Sequence, residues 1–170
     1  MSPDAIGVAT KPDLPNLRRF DKVSLTFRST MPSQTSYGDN LIAPCRVLDL
    51  TDDKGVFCTK LLADYGADVV RVEPPSGDPG RSKGPFPNDE PGMESSAYYL
   101  FYNTNKRSIT LNLETSLGRS IFKQLAETAD VVVESLPVGY LKNLGLDYES
   151  LSGSNPGLVM ASISPFGQTG

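Results

Sequence analysis

The sequence contains no histidine and no tryptophan, and it has only two cysteines among 170 residues. Without histidine the chain cannot form a Ser-His-Asp or Cys-His catalytic set, nor a metal site with histidine ligands. Two cysteines are too few for a disulfide framework or a cysteine zinc site. Any acid, base or nucleophile must therefore come from carboxylates, lysines, tyrosines or hydroxyls, and we predict no metal site.

Long apolar runs and an excess of positive charge are also missing. No stretch approaches the roughly eighteen apolar residues of a membrane span, and the N-terminus lacks the pattern of a secretory signal. The net charge of −4 provides no basic field for nucleic acid. With Cys45 and Cys58 both expected to be reduced thiols, we predict a cytoplasmic protein without a nucleic-acid or membrane partner.

The chain divides by composition into two parts. Residues 1–42 are rich in Pro, Ser, Thr, Asn and Asp, with scattered apolar residues, a composition typical of irregular structure. We predict a peripheral N-terminal arm there, in which Val23–Phe27 could pair as a short edge strand. Residues 43–170 carry regular hydrophobic patterns and are predicted to form one domain with its own core.

The clearest pattern lies between residues 46 and 75. Arg46–Leu50 is a short apolar run that predicts a buried strand, and the apolar residues of Val56–Tyr65 recur at helical spacing. Gly66 follows at the position of a left-handed helix cap. Val69–Glu73 is a second apolar run, ended by two prolines. Strand, helix and strand predict one right-handed crossover unit of a parallel sheet.

The first predicted helix also implies a buried face. Val56, Phe57, Leu61, Leu62 and Tyr65 are expected to form it, because they recur at helical spacing. Cys58 lies on the same helix and is expected in the core, since unpaired cysteine is among the most buried residue types.

The rest of the chain continues the alternation of strands and helices. After a long Gly- and Pro-rich loop, the predicted elements are a helical turn with core aromatics at Ser95–Tyr102, a strand at Ser108–Leu113, a helix from Thr115 or Ser116 to about Thr128, a strand at Val131–Val133, short helices at Val138–Asn143 and Asp147–Leu151, and a strand at Leu158–Ile163. This order predicts an α/β fold with a Rossmann-like, mostly parallel, doubly wound sheet.

Ligands of such sheets gather at the carboxyl ends of the strands. Two ends in this chain are acidic, with Asp49, Asp52 and Asp53 after the first strand and Glu73 ending the second. Lys106-Arg107 is a pair of cations just before the third strand. The pair could bind a phosphate, with arginine as a planar fork and lysine as a point charge, or it could simply be solvated.

A nicotinamide-dependent oxidoreductase is the alternative that a Rossmann-like sheet raises first. The dinucleotide fingerprint needs several glycines in the first strand–helix turn, and this turn has only Gly55. Glu73 does occupy the position of a ribose-binding acid, but one feature does not make the fingerprint. A P-loop is also missing from the sequence.

Five blocks of the sequence, taken together, resemble the amino-terminal part of the family III CoA-transferases. They are RVLDLT (46–51), LLADYGADVVRVEPPSGDPGR (61–81), NTNKRSITLNL (103–113), ADVVVES (129–135) with LGLDYESL (144–151), and NPGLVMASISPFGQTG (155–170). They occur in the order found in that family. The resemblance implies a Rossmann-like domain that is part of a larger fold with a smaller second domain, in a homodimer of interlocked chains.

The resemblance also implies a chemistry. Family members move CoA from an acyl-CoA to a small carboxylic acid. An aspartate carboxylate attacks the thioester to form a mixed anhydride and release the CoA thiolate, which then attacks the anhydride to form an enzyme thioester and release the donor acid. This covalent catalysis requires neither histidine nor metal. The family's nucleophile is expected beyond Gly170, so we assign no catalytic residue in this chain.

The residues predicted to bind CoA follow from the same resemblance. They are Asp53, Lys54, Gly55, Pro74, Arg81, Asn105, Lys106, Arg107, Leu111, Glu114, Ser135, Leu136, Pro137 and Asn143. The sequence departs from the family's pattern at Pro74 and Glu114, where an arginine and a lysine are common, and at Ser135-Leu136, where Asn-Phe is frequent. Two alternatives remain open, namely an acyl-CoA racemase of the same family and a non-catalytic, truncated CoA-transferase-like module.

Overall fold

The described part of the computed structural model, residues 41–42 and 44–168, is built on one all-parallel sheet of five strands. The strands are β1 (Arg46–Leu50), β2 (Asp68–Glu73), β3 (Arg107–Thr110), β4 (Val131–Glu134) and β5 (Val159–Ser162). Their order across the sheet is β3-β2-β1-β4-β5. The winding reverses between β1 and β4, which makes the ends of these two strands the topological switch point. The parallel, doubly wound α/β prediction is confirmed.

Five α-helices flank this sheet within the described residues, besides two short 3-10 helices in the loop after β2. The α-helices are α1 (Val56–Asp64), α2 (Ala97–Tyr102), α3 (Ser116–Ala126), α4 (Tyr140–Asn143) and α5 (Tyr148–Ser152). Side chains of α3, α4 and α5 pack with Leu48 and Leu50 in one core, whereas α1 packs with Val47 in a second core on the opposite face. Successive strand residues point to opposite faces, so β1 contributes to both cores. None of the helices in this part of the chain is long and apolar enough to cross a membrane.

Two helix ends form as the sequence predicts. Gly66 adopts a positive φ of 100° after α1, and the Ala67 N–H donates to the Leu62 carbonyl at 3.0 Å. This closes the helix in a Schellman-type cap. At the start of α3, the Thr115 hydroxyl accepts a hydrogen bond from the Gly118 N–H at 3.0 Å, which satisfies a donor that the helix leaves unpaired. The predicted strand Val23–Phe27 and nearly all of the N-terminal arm lie outside the described residues.

The buried face of α1 differs from the prediction. Phe57 and Tyr65 are 52% and 53% exposed, and Cys58 is exposed rather than part of the core. The buried residues are Val56, Thr59, Lys60 and Ala63, of which only Val56 was predicted, and Leu62 is half-buried. Helical spacing alone leaves the rotation of the helix open, and here the Thr59 hydroxyl sets it by donating to the Asp49 carboxylate of β1 at 2.7 Å.

Two further expectations are wrong in part. The aromatic residues of α2 are not mainly core residues, since Tyr99 is buried while Phe101 is 56% exposed. The third strand ends at Thr110 rather than at Leu113. The chain turns at Asn112, whose side-chain oxygen accepts from the Glu114 N–H at 3.0 Å, and an Asx turn of this kind competes with strand pairing.

Candidate functional site

The carboxyl edge of the sheet brings together two segments that the sequence predicts to bind a ligand. The turn after β1 and the turn after β4 meet at the switch point, where the Asp52 N–H donates to Ser135 Oγ at 2.7 Å. The Ser135 hydroxyl in turn donates to Asp52 Oδ1 at 2.6 Å. This reciprocal pair holds the predicted residues Asp53–Gly55 beside Ser135–Pro137.

A group of buried charges occupies the same edge on the α1 side of the sheet. Arg71 of β2 lies between two carboxylates, with Nη1 2.8 Å from Asp49 Oδ1 and Nη2 paired with Asp78. Asp49 is fully buried, and Arg71 is only 4% exposed. Because an isolated charge is costly to bury, each of these charged groups can be buried only beside groups of opposite charge.

Lys106 belongs to the same group of charges. Its ammonium lies 2.9 Å from Asp49 Oδ2, 2.8 Å from Thr59 Oγ1 and 3.1 Å from Asn103 Oδ1, and its side chain is 1% exposed. Burial lowers the pKa of Lys106 despite the opposing effect of Asp49. Burial also opposes ionisation of Asp49, but Arg71 and Lys106 outweigh it and hold the pKa of that carboxyl below its usual value.

A second set of contacts surrounds Glu73 at the end of β2. Arg81 donates to both carboxylate oxygens at 2.8 Å, the Tyr99 hydroxyl donates at 2.6 Å, and Ser108 also donates to it. Although burial opposes it, these donors lower the pKa of Glu73 to about 2. The Arg81 guanidinium also lies over the Tyr99 ring, 3.8 Å from its centroid, a cation–π geometry.

These residues form what we call the ionic cluster, defined as Asp49, Arg71, Glu73, Asp78, Arg81 and Lys106. The cluster attaches the loop after β2 to the sheet, because the Asp78 N–H donates to Glu73 Oε2 at 3.0 Å. The Ser96 hydroxyl fixes the loop again by donating to the Gly80 carbonyl at 2.9 Å. All six members belong to the sequence blocks that suggested the function, but their contacts are internal to the protein.

More exposed ion pairs lie on the rim of the same edge. Asp53 pairs with Lys83 and accepts from the Tyr98 hydroxyl at 2.9 Å, and Lys54 pairs with Asp52. The Lys83 pair is the main cause of a lowered Asp53 pKa, while burial and the bond to Asp53 raise the pKa of Tyr98 to about 12. The turn after β1 is thus linked to the loop after β2 through side chains on the rim of the carboxyl edge.

Gly55, in this first turn, is required by packing. A Cβ atom at this position would lie 2.7 Å from Thr51 Cγ2 and 3.0 Å from Ile163 Cδ1. The glycine therefore permits close approach between the turn after β1 and the segment after β5.

The structure also has a groove that sequence reasoning missed in large part. It lies at the carboxyl ends of β4 and β5 and has a volume of about 440 Å³, within the usual range for small-ligand sites. We call it the β4–β5 groove, lined among others by Pro137, Val138, Lys142, Tyr148, Met160 and Ser162. Of these only Pro137 was predicted. Proximity in sequence to Pro137 and Asn143 was the signal that could have identified Val138 and Lys142.

The other predicted residues are spread along the edge. Lys106 and Arg107 do not form a solvated pair, since Lys106 is buried and Arg107 pairs with Asp68. Asn105 donates to Asp64 Oδ1 at 3.0 Å, and Glu114 accepts from the Tyr140 hydroxyl. Pro74 and Asn143 are exposed and Leu111 is half-buried. Contact of these residues with CoA stays a prediction.

A parallel sheet in this strand order defines a Rossmann-like α/β domain, and the groove lies next to its switch point. The chain belongs to CoA-transferase family III, whose family model matches residues 42–170. The resemblance of the five sequence blocks is thereby confirmed.

Several curated relatives share nearly half of the aligned sequence. The chain is 47% identical over 125 residues to succinyl-CoA:(R)-benzylsuccinate CoA-transferase subunit BbsE of Thauera aromatica, covering 74% of this chain and 30% of the relative. It is 47% identical over 123 residues to succinyl-CoA:mesaconate CoA-transferase of Haloarcula marismortui, covering 72% and 31%. The chain therefore spans about a third of the length of these relatives.

Solved structures agree with the fold. A CAIB/BAIF family protein from Brucella suis superimposes with a TM-score of 0.68 at 42% identity, covering 75% of this chain and 34% of that protein. Rv3272 from Mycobacterium tuberculosis superimposes with a TM-score of 0.67 at 34% identity, covering 75% and 35%.

Proposed function

We propose that this chain is the CoA-binding part of an enzyme that moves CoA from an acyl-CoA to a small carboxylic acid. The observation that carries the proposal is the β4–β5 groove, which opens beside Ser135–Pro137 at the carboxyl edge of a family III domain. Its volume suits one portion of CoA, and the rest of the ligand would extend along the edge toward Asp53–Gly55.

The lining of the groove fits such a ligand. Val138 and Met160 provide apolar surface for the uncharged parts of CoA, while Ser162 and the ring of Tyr148 provide a hydroxyl and an aromatic face. Small-molecule sites commonly combine an apolar lining with a few polar groups that orient the ligand. The ionic cluster holds the neighbouring loop rigid, so that the edge is shaped before the ligand arrives.

Succinyl-CoA is the donor that we propose to test first. It is named as the donor for the relatives from Thauera aromatica and Haloarcula marismortui. The acceptor acids differ between these two relatives, so the donor is the better supported half of the reaction. We assign binding and orientation of CoA to this chain, and we assign the aspartate nucleophile to none of its described residues.

We also propose a homodimeric, cytoplasmic enzyme. Phe57 and Leu61 of α1 and Leu100 and Phe101 of α2 are exposed in the single chain, and the rings of Phe57 and Phe101 both contact Tyr102. Exposed apolar side chains that lie together in this way are typical of interfaces. The two unpaired thiols agree with a reducing compartment. Light scattering of the purified protein would measure the mass, and a monomer at all concentrations would contradict the dimer.

The test of CoA binding is a calorimetric titration of the 170-residue chain, with circular dichroism to verify folding. We expect saturable binding of CoA. Val138→Asp should weaken it at least about tenfold, because a carboxylate in the groove displaces apolar contacts and repels phosphate. Leu117→Asp is the matched control, since Leu117 is similarly exposed but lies on α3 outside the groove. A folded chain that does not bind CoA would contradict the proposal.

A further inference from the structure

We infer that Lys142 is the phosphate-binding side chain of the β4–β5 groove. The inference rests on the proposed function and deepens it, because it names the residue that contacts a phosphate group of CoA. Lys142 lies in the last turn of α4, and its side chain lines the groove. Lysine is a compact point charge suited to phosphate.

The other cations on the carboxyl edge are held by partners within the protein. Five of them have a carboxylate partner within 4.0 Å, namely Arg71, Arg81 and Lys106 in the ionic cluster and Lys54 and Lys83 on its rim. Arg119 instead donates to the Leu113 and Glu114 carbonyls at 3.3 and 2.9 Å. A phosphate binding to any of these cations would have to displace an internal contact. Among the residues that the structure describes, no such partner is found for Lys142.

The β4–β5 groove carries charges of both signs. Lys142 is the single cation among its described lining residues, which also include the carboxylates Glu134, Asp147 and Glu149. Glu134 is buried and accepts from the Leu136 N–H at 2.7 Å, and Asp147 accepts from the Ser150 hydroxyl. These carboxylates repel a phosphate from their side of the groove. A phosphate group is therefore expected only at the end where the ammonium of Lys142 can reach it.

Lys142 also differs in charge from several residues that were predicted to bind CoA. Pro74 and Glu114 stand at predicted CoA positions and cannot donate a charged hydrogen bond, and Asn143 is uncharged. The charge that would hold a phosphate is thus lacking at those positions but present at the residue next to Asn143. Lys142 is exposed, so its ammonium can be used without breaking an internal contact.

The test compares Lys142→Ala with Lys123→Ala in calorimetric titrations with CoA. Lys123 is an exposed lysine on α3 that does not line the groove, so its removal makes the same change in net charge. We expect Lys142→Ala to weaken CoA binding about 5- to 20-fold, Lys123→Ala to change it less than twofold, and Lys142→Arg to retain most of the affinity. Pantetheine, which has no phosphate, should bind both alanine variants as it binds the parent chain.

Dephospho-CoA identifies which phosphate is contacted. If Lys142→Ala no longer weakens binding of this ligand, the contact is with the 3′-phosphate; an undiminished effect assigns it to the diphosphate, and both results support the inference. Equal losses in the Lys142 and Lys123 variants, or no loss in either, would overturn it while leaving CoA binding by the domain intact. A folded parent chain that does not bind CoA would overturn this inference and the proposed function together.

Discussion

The two halves of the carboxyl edge use polar residues in opposite ways. At the ends of β1 and β2 the ionic cluster fills the space between the strands and the loop with charges that satisfy one another, and Asp49 is fully buried. At the ends of β4 and β5 the same edge opens into a groove with a single described cation, Lys142. The half at β1 and β2 fixes the neighbouring loop against the sheet, whereas the half at β4 and β5 leaves a groove open at the surface.

This contrast shows why residue type alone is a poor guide to a site. The residues most suggestive of chemistry in the sequence, such as Asp49, Arg71 and Lys106, are those most completely buried by their partners. The groove is lined instead by ordinary residues such as Val138 and Tyr148. If the contrast is correct, equivalent changes in the two halves should have unequal effects on stability.

The largest difference in folding free energy between the two halves is expected when Asp49→Ala is compared with Asp147→Ala. Asp49→Ala would leave Arg71 and Lys106 buried without their shared carboxylate, and breaking a buried ion pair in this way costs about 3–5 kcal/mol of folding free energy. Asp147→Ala, at the start of α5 beside the groove, should cost about 1 kcal/mol or less. Urea unfolding followed by circular dichroism measures both. Similar losses in the two variants would remove the basis for the contrast.

Lowering the pH should destabilise the ionic cluster, because it protonates Glu73. Its pKa is lowered to about 2 in the folded chain, below that of an unfolded glutamate, so its contribution is present above about pH 4.5 and is lost as the pH falls toward 2. The difference between this pKa and that of an ordinary glutamate sets an upper limit of about 3 kcal/mol on the contribution. Glu73→Gln should therefore be less stable than the parent at pH 7, with the difference shrinking at pH 3.

Unfolding free energies at pH 7, 5 and 3 measure this effect. Glu149→Gln, which changes an exposed carboxylate in the groove, is the control. A Glu73→Gln variant that loses stability with acid as steeply as the parent chain would show that Glu73 does not contribute in this way.

The smallest effect is expected when single hydroxyl groups are removed. Tyr99→Phe deletes a hydrogen bond of 2.6 Å to Glu73 and one of 2.8 Å from Arg81, and hydrogen bonds to charged groups contribute about 1.5–3 kcal/mol. We expect a loss near the low end, since Glu73 keeps its other donors. Tyr148→Phe in the groove should change the unfolding free energy by less than about 0.5 kcal/mol. A larger loss for Tyr148 than for Tyr99 would reverse the comparison.

The sequence predicted the fold better than the site. Alternating apolar strands and periodic helices led to the parallel sheet, and local signals such as Gly66 and Thr115 marked the helix ends where they occur. The site was anticipated only as an edge of the sheet. Pro137 was predicted and lines the groove, whereas Lys142, which also lines it, was missed because a lone lysine on a short helix carries no motif.

The sequence by itself thus determined the class of fold and the family, because these depend on local patterns and on ordered blocks. The tertiary structure alone decided which face of α1 is buried and which charges are neutralised. Asp49 and Lys106 are 57 residues apart in the chain, and their 2.9 Å contact exists only because the fold places the end of β1 within reach of the residue that precedes β3. The energetic fate of a charge depends on such distant partners, and helical or strand periodicity contains no information about them.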